Sequence, residues 1–501
     1  MKYNNRKLQH IPVRVEMNPR YAERKNGIAF KIEQFFYQHK NKLIFVHLAM
    51  FIIFLSLIVV PILLPSPQED ATLFNNFTVF SQFLLWGVWF PLVFASVLFS
   101  GRSWCGVLCP MGAASEWMTK IGLKRHIPGW LKWEGTPIIS FLLVTILGQT
   151  VDVRDQASAM AEIFGGTLLA ALLIGFFYGK QNKRAWCRHV CPIGLLLGVF
   201  SRLGIVQFAS KHLRINGTQK DQYTEKGVCP TMIAISQKKE SRHCIQCFRC
   251  VKPSSPGGLF VELRPFGEEI INIRGHSPSL GEILFIFMST GISLGGFLWL
   301  ILPSYQMMRQ TVGTYLIENG WTFIGNPGPS WLMSVHPLER QVYNWLDFFM
   351  IVAYMMTFML LTTFVLSFCT GLSSYIAGKF HAEGKLKDRF IELGYQFTPV
   401  AVISIIIGLG ETLFSTLQSI GMSNFSLSVL KGGLLFGSIL WSIHLGRKLL
   451  LKQNIQKKGL WIAMLPGVLG SLMIGLAWWP AIFGVHFSLL AEYRQHLAMI
   501  A

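Results

Sequence analysis

Nine apolar runs, most of them close to 20 residues long, constrain this chain more than any other feature. A helix needs about 20 apolar residues to cross a hydrocarbon core about 30 Å thick. The sequence therefore predicts a polytopic α-helical membrane protein with about nine transmembrane helices. The runs lie at roughly 43–64, 77–99, 136–152, 164–179, 281–303, 345–369, 397–417, 428–447 and 460–482.

The charge of the chain agrees with this class. Lys and Arg number 45 against 25 Asp and Glu, a net charge of +20, which by itself could indicate a nucleic-acid-binding protein. With a cytoplasmic N-terminus, however, all but five of the basic residues fall on one side, as the positive-inside rule requires. We therefore expect a bacterial cytoplasmic membrane, a periplasmic C-terminus, a lipid environment and no nucleic acid. The five exceptions are Arg154, Arg309, Arg340, Lys431 and Arg494.

The runs divide the chain into four regions. Residues 1–42 form a basic cytoplasmic N-terminus, 43–200 two transmembrane hairpins, 201–280 a polar cytoplasmic segment, and 281–501 a C-terminal transmembrane region. The C-terminal region includes a long aromatic loop, 304–344, predicted to face outside and to be ordered by turns.

Each hairpin ends in the same motif, Trp-Cys-x-x-x-Cys-Pro-x-Gly. We call Cys105, Cys109, Cys187 and Cys191 the hairpin cysteines. The proline after each second Cys suits the first turn of a new helix, whose N-terminus would lower the pKa of that thiol. The four thiols are predicted to share one redox-active or metal centre, iron–sulfur or other iron rather than copper. Two separate dithiol couples, or a plain surface turn, are the alternatives.

A second set of cysteines lies in the polar segment. We call Cys229, Cys244, Cys247 and Cys250 the ferredoxin-type cysteines. In a reducing cytoplasm thiols are seldom structural disulfides. The last three follow the C-x2-C-x2-C spacing of a [4Fe–4S] site, whose fourth ligand comes from a remote Cys-Pro. Zinc or a metal-free segment are the alternatives.

The count of ligands predicts a single cluster in this segment. A second [4Fe–4S] cluster would need four more cysteines at the spacings of a two-cluster ferredoxin. The sequence has Gln219, Gln222, Glu225 and Ser254 at those positions.

Together the motifs resemble the membrane-bound 4Fe–4S polyferredoxins of the NapH/NosR type, over about residues 43–280. The longer C-terminal region is similar to polyferredoxins found beside ferrous-iron permeases. The resemblance implies a small α+β ferredoxin-like cytoplasmic domain and a role beside periplasmic reductases. Family members typically hold two clusters in that domain, whereas this chain keeps one ligand set.

Three ionisable residues in or near the apolar runs are further candidates, because charge is costly in a membrane. His47, Glu411 and His444 are candidate proton, quinone or cation contacts, and Cys369 is expected to have no role.

The sequence thus predicts an electron-transfer subunit rather than a stand-alone enzyme. Electrons would pass between a quinone pool or cytoplasmic donor and a membrane or periplasmic partner. The alternative is a redox component of an iron or copper uptake or metal-centre assembly system, with a permease as partner. A passive membrane scaffold is the third possibility.

Overall fold

The structure is a computed structural model. It describes residues 14–24, 27–68, 70–180, 182–216, 228–235, 238–255, 257–336 and 341–483. Several sequence predictions fall outside these ranges, namely those on Gln219, Gln222, Glu225, Arg340, Arg494 and the C-terminus.

Long apolar helices dominate the described residues, which makes the chain a mostly helical polytopic membrane protein. Eight of them are long and apolar enough to cross a membrane. The run at 136–152 forms a shorter helix of 15 residues, about 22 Å long at 1.5 Å per residue. The eight are Leu43–Leu63, Phe77–Ser100, Ala157–Phe177, Leu280–Ile301, Trp345–Lys379, Leu386–Leu409, Asn424–Lys452 and Lys457–Phe483.

The predicted end of the seventh span is wrong. The span predicted at 397–417 ends at Leu409, because Gly410 leaves the helical conformation and a separate helix begins at Glu411. Glu411 therefore lies beyond this candidate span rather than inside it. The loop 304–344, whose Gly-Asn-Pro-Gly-Pro run at 325–329 favours ordered turns, also contains a helix, Pro303–Glu318.

Shorter elements complete the fold. The other helices are Pro19–Ala22, Ile28–Gln38, Pro110–Ile121, Gly129–Lys132, Thr136–Thr150, Ala185–His189, Pro192–Phe200, Glu268–Ile271 and Glu411–Ser419. The strands pair antiparallel: Arg14–Met17 with His212–Asn216, Val206–Ser210 with Leu259–Leu263, and Val335–His336 with Gln341–Val342.

The chain divides into two compact units. The first comprises Met1–Leu85, Pro91–Val144 and Met160–Glu282, and it contains all the hairpin and ferredoxin-type cysteines. The second comprises Trp86–Phe90, Thr145–Ala159 and Ile283–Ala501. In the second unit a buried tryptophan, Trp478, donates a hydrogen bond of 2.9 Å to the hydroxyl of Ser404.

A buried ion network organises the polar segment of the first unit. Arg202 donates to Glu269 at 2.8 Å and to Glu282 at 2.9 Å, and Arg264 also pairs with Glu269. All four side chains are buried. Removing one partner of a buried pair typically costs about 3–5 kcal/mol, so this network holds the segment around the ferredoxin-type cysteines in one arrangement.

Candidate functional site

The ferredoxin-type cysteines line one cavity. Its walls also include Phe208, Thr231 and Arg249. Gln246 and Phe248 adopt left-handed conformations, with φ of 50° and 58°, and so curl the loop between Cys244 and Cys250. Successive backbone N–H groups in such a curled loop form a concavity of the kind that holds iron–sulfur clusters. The local backbone therefore curls around the cavity that these cysteines line.

Burial governs the chemistry of these thiols. Burial raises the pKa of Cys247 to about 11, and it raises the pKa values of Cys244 and Cys250 as well. A thiolate in such surroundings needs a positive partner. An iron ion supplies that charge, because a coordinating thiol is deprotonated outright.

The donor set fits an iron–sulfur cluster. Four cysteine thiolates are the ligand set of a [4Fe–4S] cluster. Cys229 lines the same cavity as Cys244, Cys247 and Cys250. The residues present therefore fit a [4Fe–4S] group.

An N-terminal helix, Ile28–Gln38, borders this cavity. Its Phe36 stacks on Phe248 with ring centroids 3.7 Å apart, and Phe208 meets Phe248 edge-on at 4.8 Å. These rings pack in the same apolar cluster as Cys244 and Cys250. The helix thus adds apolar packing beside these cysteines, a contribution that the sequence pattern did not indicate.

The first hairpin motif forms two turns around its cysteines. A wide helical turn covers Trp104–Leu108, and a new helix, Pro110–Ile121, begins immediately after Cys109. The sulfur of Cys109 accepts a hydrogen bond of 3.4 Å from the backbone N–H of Gly112. Proline at the first helical position lacks only an N–H that would have no partner there, so the Cys-Pro step suits the helix start.

The second motif repeats this plan with ordinary helical geometry. Helix Ala185–His189 carries Cys187, and helix Pro192–Phe200 begins after Cys191. The expected helix break at each Cys-Pro step is therefore present in both motifs.

The two motifs meet at Gly112. A Cβ atom on Gly112 would lie 3.2 Å from the sulfur of Cys187 and 3.1 Å from Nη1 of Arg184. The absence of a side chain at this position thus lets the second motif approach the first. Charges on Cys105, Cys109 and Cys191 all act on the thiol of Cys187, which places the four hairpin cysteines in one neighbourhood.

The expected lowering of thiol pKa at the helix starts is wrong. Burial raises the pKa of Cys109 to about 11 and that of Cys191 to about 12. Backbone N–H groups at Gly112 and Ile193 act in the expected direction, but desolvation of the thiolate outweighs them.

Sequence reasoning missed two arginines. Each motif has an arginine three residues before its first cysteine, and both side chains, Arg102 and Arg184, are buried. Arg184 donates to Glu116 at 2.8 Å and to the carbonyl oxygen of Cys105 at 2.9 Å. Nη2 of Arg102 lies 4.0 Å from the sulfur of Cys105. The sequence contains a pattern that could have indicated these residues, because the arginine recurs at the same position in both copies of the motif.

Gly106 joins the two sets of cysteines. A Cβ atom there would lie 2.2 Å from the carbonyl oxygen of Ile245 and 2.7 Å from the backbone nitrogen of Cys247. The backbone after Cys105 therefore packs directly on the backbone at Cys247. Only glycine permits this approach without a shift of the main chain.

The other candidate residues have separate surroundings. His47 is buried, and its Nε2 lies 3.2 Å from the carbonyl oxygen of Gly106, beside the first motif. In the second unit, Glu411 accepts a bond of 2.7 Å from Lys431, His444 is exposed, and Cys369 is buried. Of the three proposed polar contacts, the structure brings only His47 against one of the cysteine motifs.

Comparison with a family model identifies the hairpins. Residues 82–128 and 163–216 match the family described as a 4Fe-4S binding domain. These two stretches contain all four hairpin cysteines and none of the ferredoxin-type cysteines. The match thus supports an iron–sulfur cofactor.

Three curated relatives align with part of the chain. An uncharacterized protein of Methanocaldococcus jannaschii is 26% identical over 168 residues, 32% of this chain and 64% of that protein. The methylamine utilization ferredoxin-type protein MauN of Paracoccus denitrificans is 29% identical over 133 residues, 23% of this chain and 44% of MauN. The ferredoxin-type protein NapH of Escherichia coli is 22% identical over 182 residues, 32% of this chain and 62% of NapH.

The chain thus spans less than two thirds of the length of each of these relatives. No solved structure matches it. These findings confirm the resemblance inferred from the motifs: the chain is related to the membrane-associated 4Fe–4S polyferredoxins of the NapH/NosR type.

Proposed function

We propose that this protein is a membrane-bound iron–sulfur electron-transfer subunit with two centres. The ferredoxin-type cysteines hold one [4Fe–4S] cluster within a ferredoxin-like segment, residues 201–280. The hairpin cysteines hold a second iron–sulfur centre. Electrons pass between a quinone pool or cytoplasmic donor and a membrane or periplasmic redox partner. The names of the relatives, ferredoxin-type proteins among them, support this class of function.

The contact at Gly106 carries the proposal. Electron transfer between two centres slows steeply as their separation grows, so consecutive centres must lie close together. Gly106 follows Cys105 of one set directly, and its backbone packs on that of Cys247 in the other set. This contact joins the ligand loops of both centres through main-chain atoms.

The protein contributes position and electrostatics to this chemistry. An iron–sulfur cluster supplies the one-electron redox capacity, while burial and hydrogen bonds to sulfur tune its potential. Here Cys244, Cys247 and Cys250 are buried, whereas Cys229 is partly exposed. We propose that electrons enter or leave the first centre on the side of Cys229.

Orientation follows from the charge distribution along the sequence. We propose that the N-terminus and both cysteine sets face the cytoplasm of a bacterial inner membrane and that the C-terminus faces the periplasm. The positive-inside rule supports this arrangement.

Anaerobic purification of the full chain, with iron and sulfide analysis, tests the proposal. More than about four irons per chain are expected, because the ferredoxin-type cluster alone accounts for about four and the hairpin centre adds to them. An iron-free protein that contains zinc would overturn it.

Cysteine variants assign the signals. Cys247→Ser should remove one electron paramagnetic resonance signal, and Cys105→Ser should remove a different one. The matched control is Cys369→Ser, a buried cysteine outside both sets, which should leave both signals unchanged. If Cys247→Ser and Cys105→Ser both removed the same signal, the two-centre arrangement would be contradicted.

A further inference from the structure

Two buried arginines occupy equivalent positions in the repeated motif. Arg102 precedes Cys105 by three residues, and Arg184 precedes Cys187 by three residues. Arg102 is 3% exposed and Arg184 is 0% exposed. Burying a guanidinium group is costly unless an anion or a full set of hydrogen bonds compensates it. The hydrogen-bond partners of each arginine therefore show how far its positive charge is compensated.

Arg102 has no carboxylate partner in the described part of the chain. Its Nη1 donates to the carbonyl oxygen of Arg242, and its Nη2 approaches the sulfur of Cys105 at 4.0 Å. Its Nε is buried without a hydrogen-bond partner among the described residues. A full positive charge thus lies beside a hairpin cysteine, and the carbonyl dipole of Arg242 cannot neutralise it.

Arg184 is only partly neutralised. Glu116 accepts hydrogen bonds from both Arg184 and Arg249, so one carboxylate is shared between two guanidinium groups. Nη2 of Arg184 is buried and has no hydrogen-bond partner among the described residues. The guanidinium group also reaches the carbonyl oxygen of Cys105 and the space above Gly112, where Cys187 approaches. This group of three charges therefore leaves a net positive charge beside the hairpin cysteines.

We propose that Arg102 and Arg184 are the counter-cations of an anionic iron–thiolate centre at the hairpin cysteines. This inference rests on the proposed function. An iron–sulfur cluster held by four thiolates would carry a net negative charge, which matches two buried positive charges. The free N–H groups of both arginines can then donate to sulfur, and such charge-assisted bonds are stronger than neutral ones.

The two positive charges determine the direction in which the reduction potential of the hairpin centre changes. Reduction by one electron adds one negative charge to the centre, and nearby positive charge stabilises the reduced form more than the oxidised form. Arg102 and Arg184 therefore raise the reduction potential of the hairpin centre. Removing either charge lowers that potential, because the effective dielectric constant around buried charges is low.

A redox titration of the purified full-length protein tests this inference. Dithionite and mediator dyes set the potential, and electron paramagnetic resonance follows the hairpin signal. Arg102→Gln should shift the midpoint of that signal to a lower potential at unchanged iron content. Arg102→Lys, which keeps the charge, should stay close to the wild-type midpoint.

A surface arginine provides the control. Arg125 is an exposed residue of the same unit, so Arg125→Gln removes the same charge where water and salt screen it. It should leave the midpoint unchanged. A fully loaded Arg102→Gln protein with the wild-type midpoint would overturn the counter-cation role while leaving the proposed function intact. A wild-type protein that contains iron but lacks any hairpin signal would overturn both.

The experiment remains decisive if Arg102→Gln fails to accumulate. The Arg102→Lys protein must then show both iron signals, because charge rather than guanidinium shape is what the centre requires. An Arg102→Lys protein that retains the ferredoxin-type signal but loses the hairpin signal would refute the proposal.

Discussion

The two hairpin motifs have nearly the same sequence but different surroundings. In the first, the residue after the leading cysteine is Gly106, which packs against the backbone of Cys247. In the second, the equivalent residue is Arg188. Gly112 of the first motif borders Cys187 of the second, whereas the three atoms nearest to a Cβ on Gly194 belong to Cys187 and Cys191 of its own motif. The two copies of the motif therefore reach the ferredoxin-type cysteines in different ways: the first through the backbone at Gly106, the second through Arg184, whose backbone N–H donates to the carbonyl oxygen of Pro230 at 2.8 Å.

Removing one cysteine from each motif tests this comparison with the largest expected effect. Cys105→Ser and Cys187→Ser should each abolish the same hairpin signal, because one centre needs ligands from both copies. Iron analysis and electron paramagnetic resonance of the anaerobic proteins measure this. The ferredoxin-type signal serves as the internal control, and survival of a hairpin signal in either variant would indicate two separate dithiol sites.

Glu116→Gln should produce the next largest effect, a decrease in the free energy of unfolding. Burial alone would raise the pKa of Glu116, but the charges of Arg184 and Arg249 outweigh it and leave that pKa below its ordinary value. Loss of the carboxylate leaves two arginines uncompensated and should cost about 3–5 kcal/mol. Thermal unfolding in detergent measures the change.

The same carboxylate predicts a dependence of stability on pH. A lowered pKa in the folded state stabilises the fold above the unfolded pKa of about 4.3, and this contribution is lost as the pH falls below that value. Glu116→Gln should therefore flatten the acid limb of the unfolding profile. The control is Glu134→Gln, at an exposed side chain, which should change stability by no more than about 0.5 kcal/mol. Equal losses in the two variants would refute the importance of the Arg184 pair.

Gly106→Ala tests the contact that distinguishes the first motif. The added methyl group would overlap backbone atoms of Ile245 and Cys247, so the main chain must shift, at a cost of about 1–3 kcal/mol. Electron exchange between the two centres should slow as the centres move apart. Rapid reduction of the protein and freezing at set times measure this exchange.

The matched control for this variant is Gly166→Ala, at a helical glycine of the same unit with open space around it. That change should preserve both stability and exchange rate. An unchanged exchange rate in Gly106→Ala would show that electrons do not use this junction.

Gly112→Ala against Gly165→Ala tests the contact between the two motifs and has the smallest expected effect. A Cβ on Gly112 would press on Cys187 and Arg184 at 3.1–3.2 Å, so small shifts can relieve it at about 1 kcal/mol and should change the line shape of the hairpin signal. The control is Gly165, a helical glycine of the same unit with nothing within 4 Å of an added Cβ, so Gly165→Ala should keep the line shape. An unchanged line shape in Gly112→Ala would show that the hairpin centre does not depend on the approach of the second motif at this glycine.

Much of the fold could be predicted from local patterns in the sequence. Apolar runs located the candidate spans, because a helix in a bilayer depends on the length and composition of one continuous segment. The failure at Glu411 has a local cause, since Gly410 leaves the helical conformation within an apolar stretch. The wrong pKa direction at Cys109 has a non-local cause, because the burial of a thiol depends on neighbours distant in sequence.

The sequence by itself determined the class of protein and the doubled cysteine motif, and it supplied the cysteines proposed as sulfur donors, since each is expressed in the spacing of neighbouring residues. Only the tertiary structure brought Gly106 onto Cys247, Arg184 onto Glu116 and Cys187 toward Gly112. These pairs are separated by at least 68 residues and follow no period. Such contacts arise when whole helices and loops pack together, and a one-dimensional pattern contains no measure of that packing.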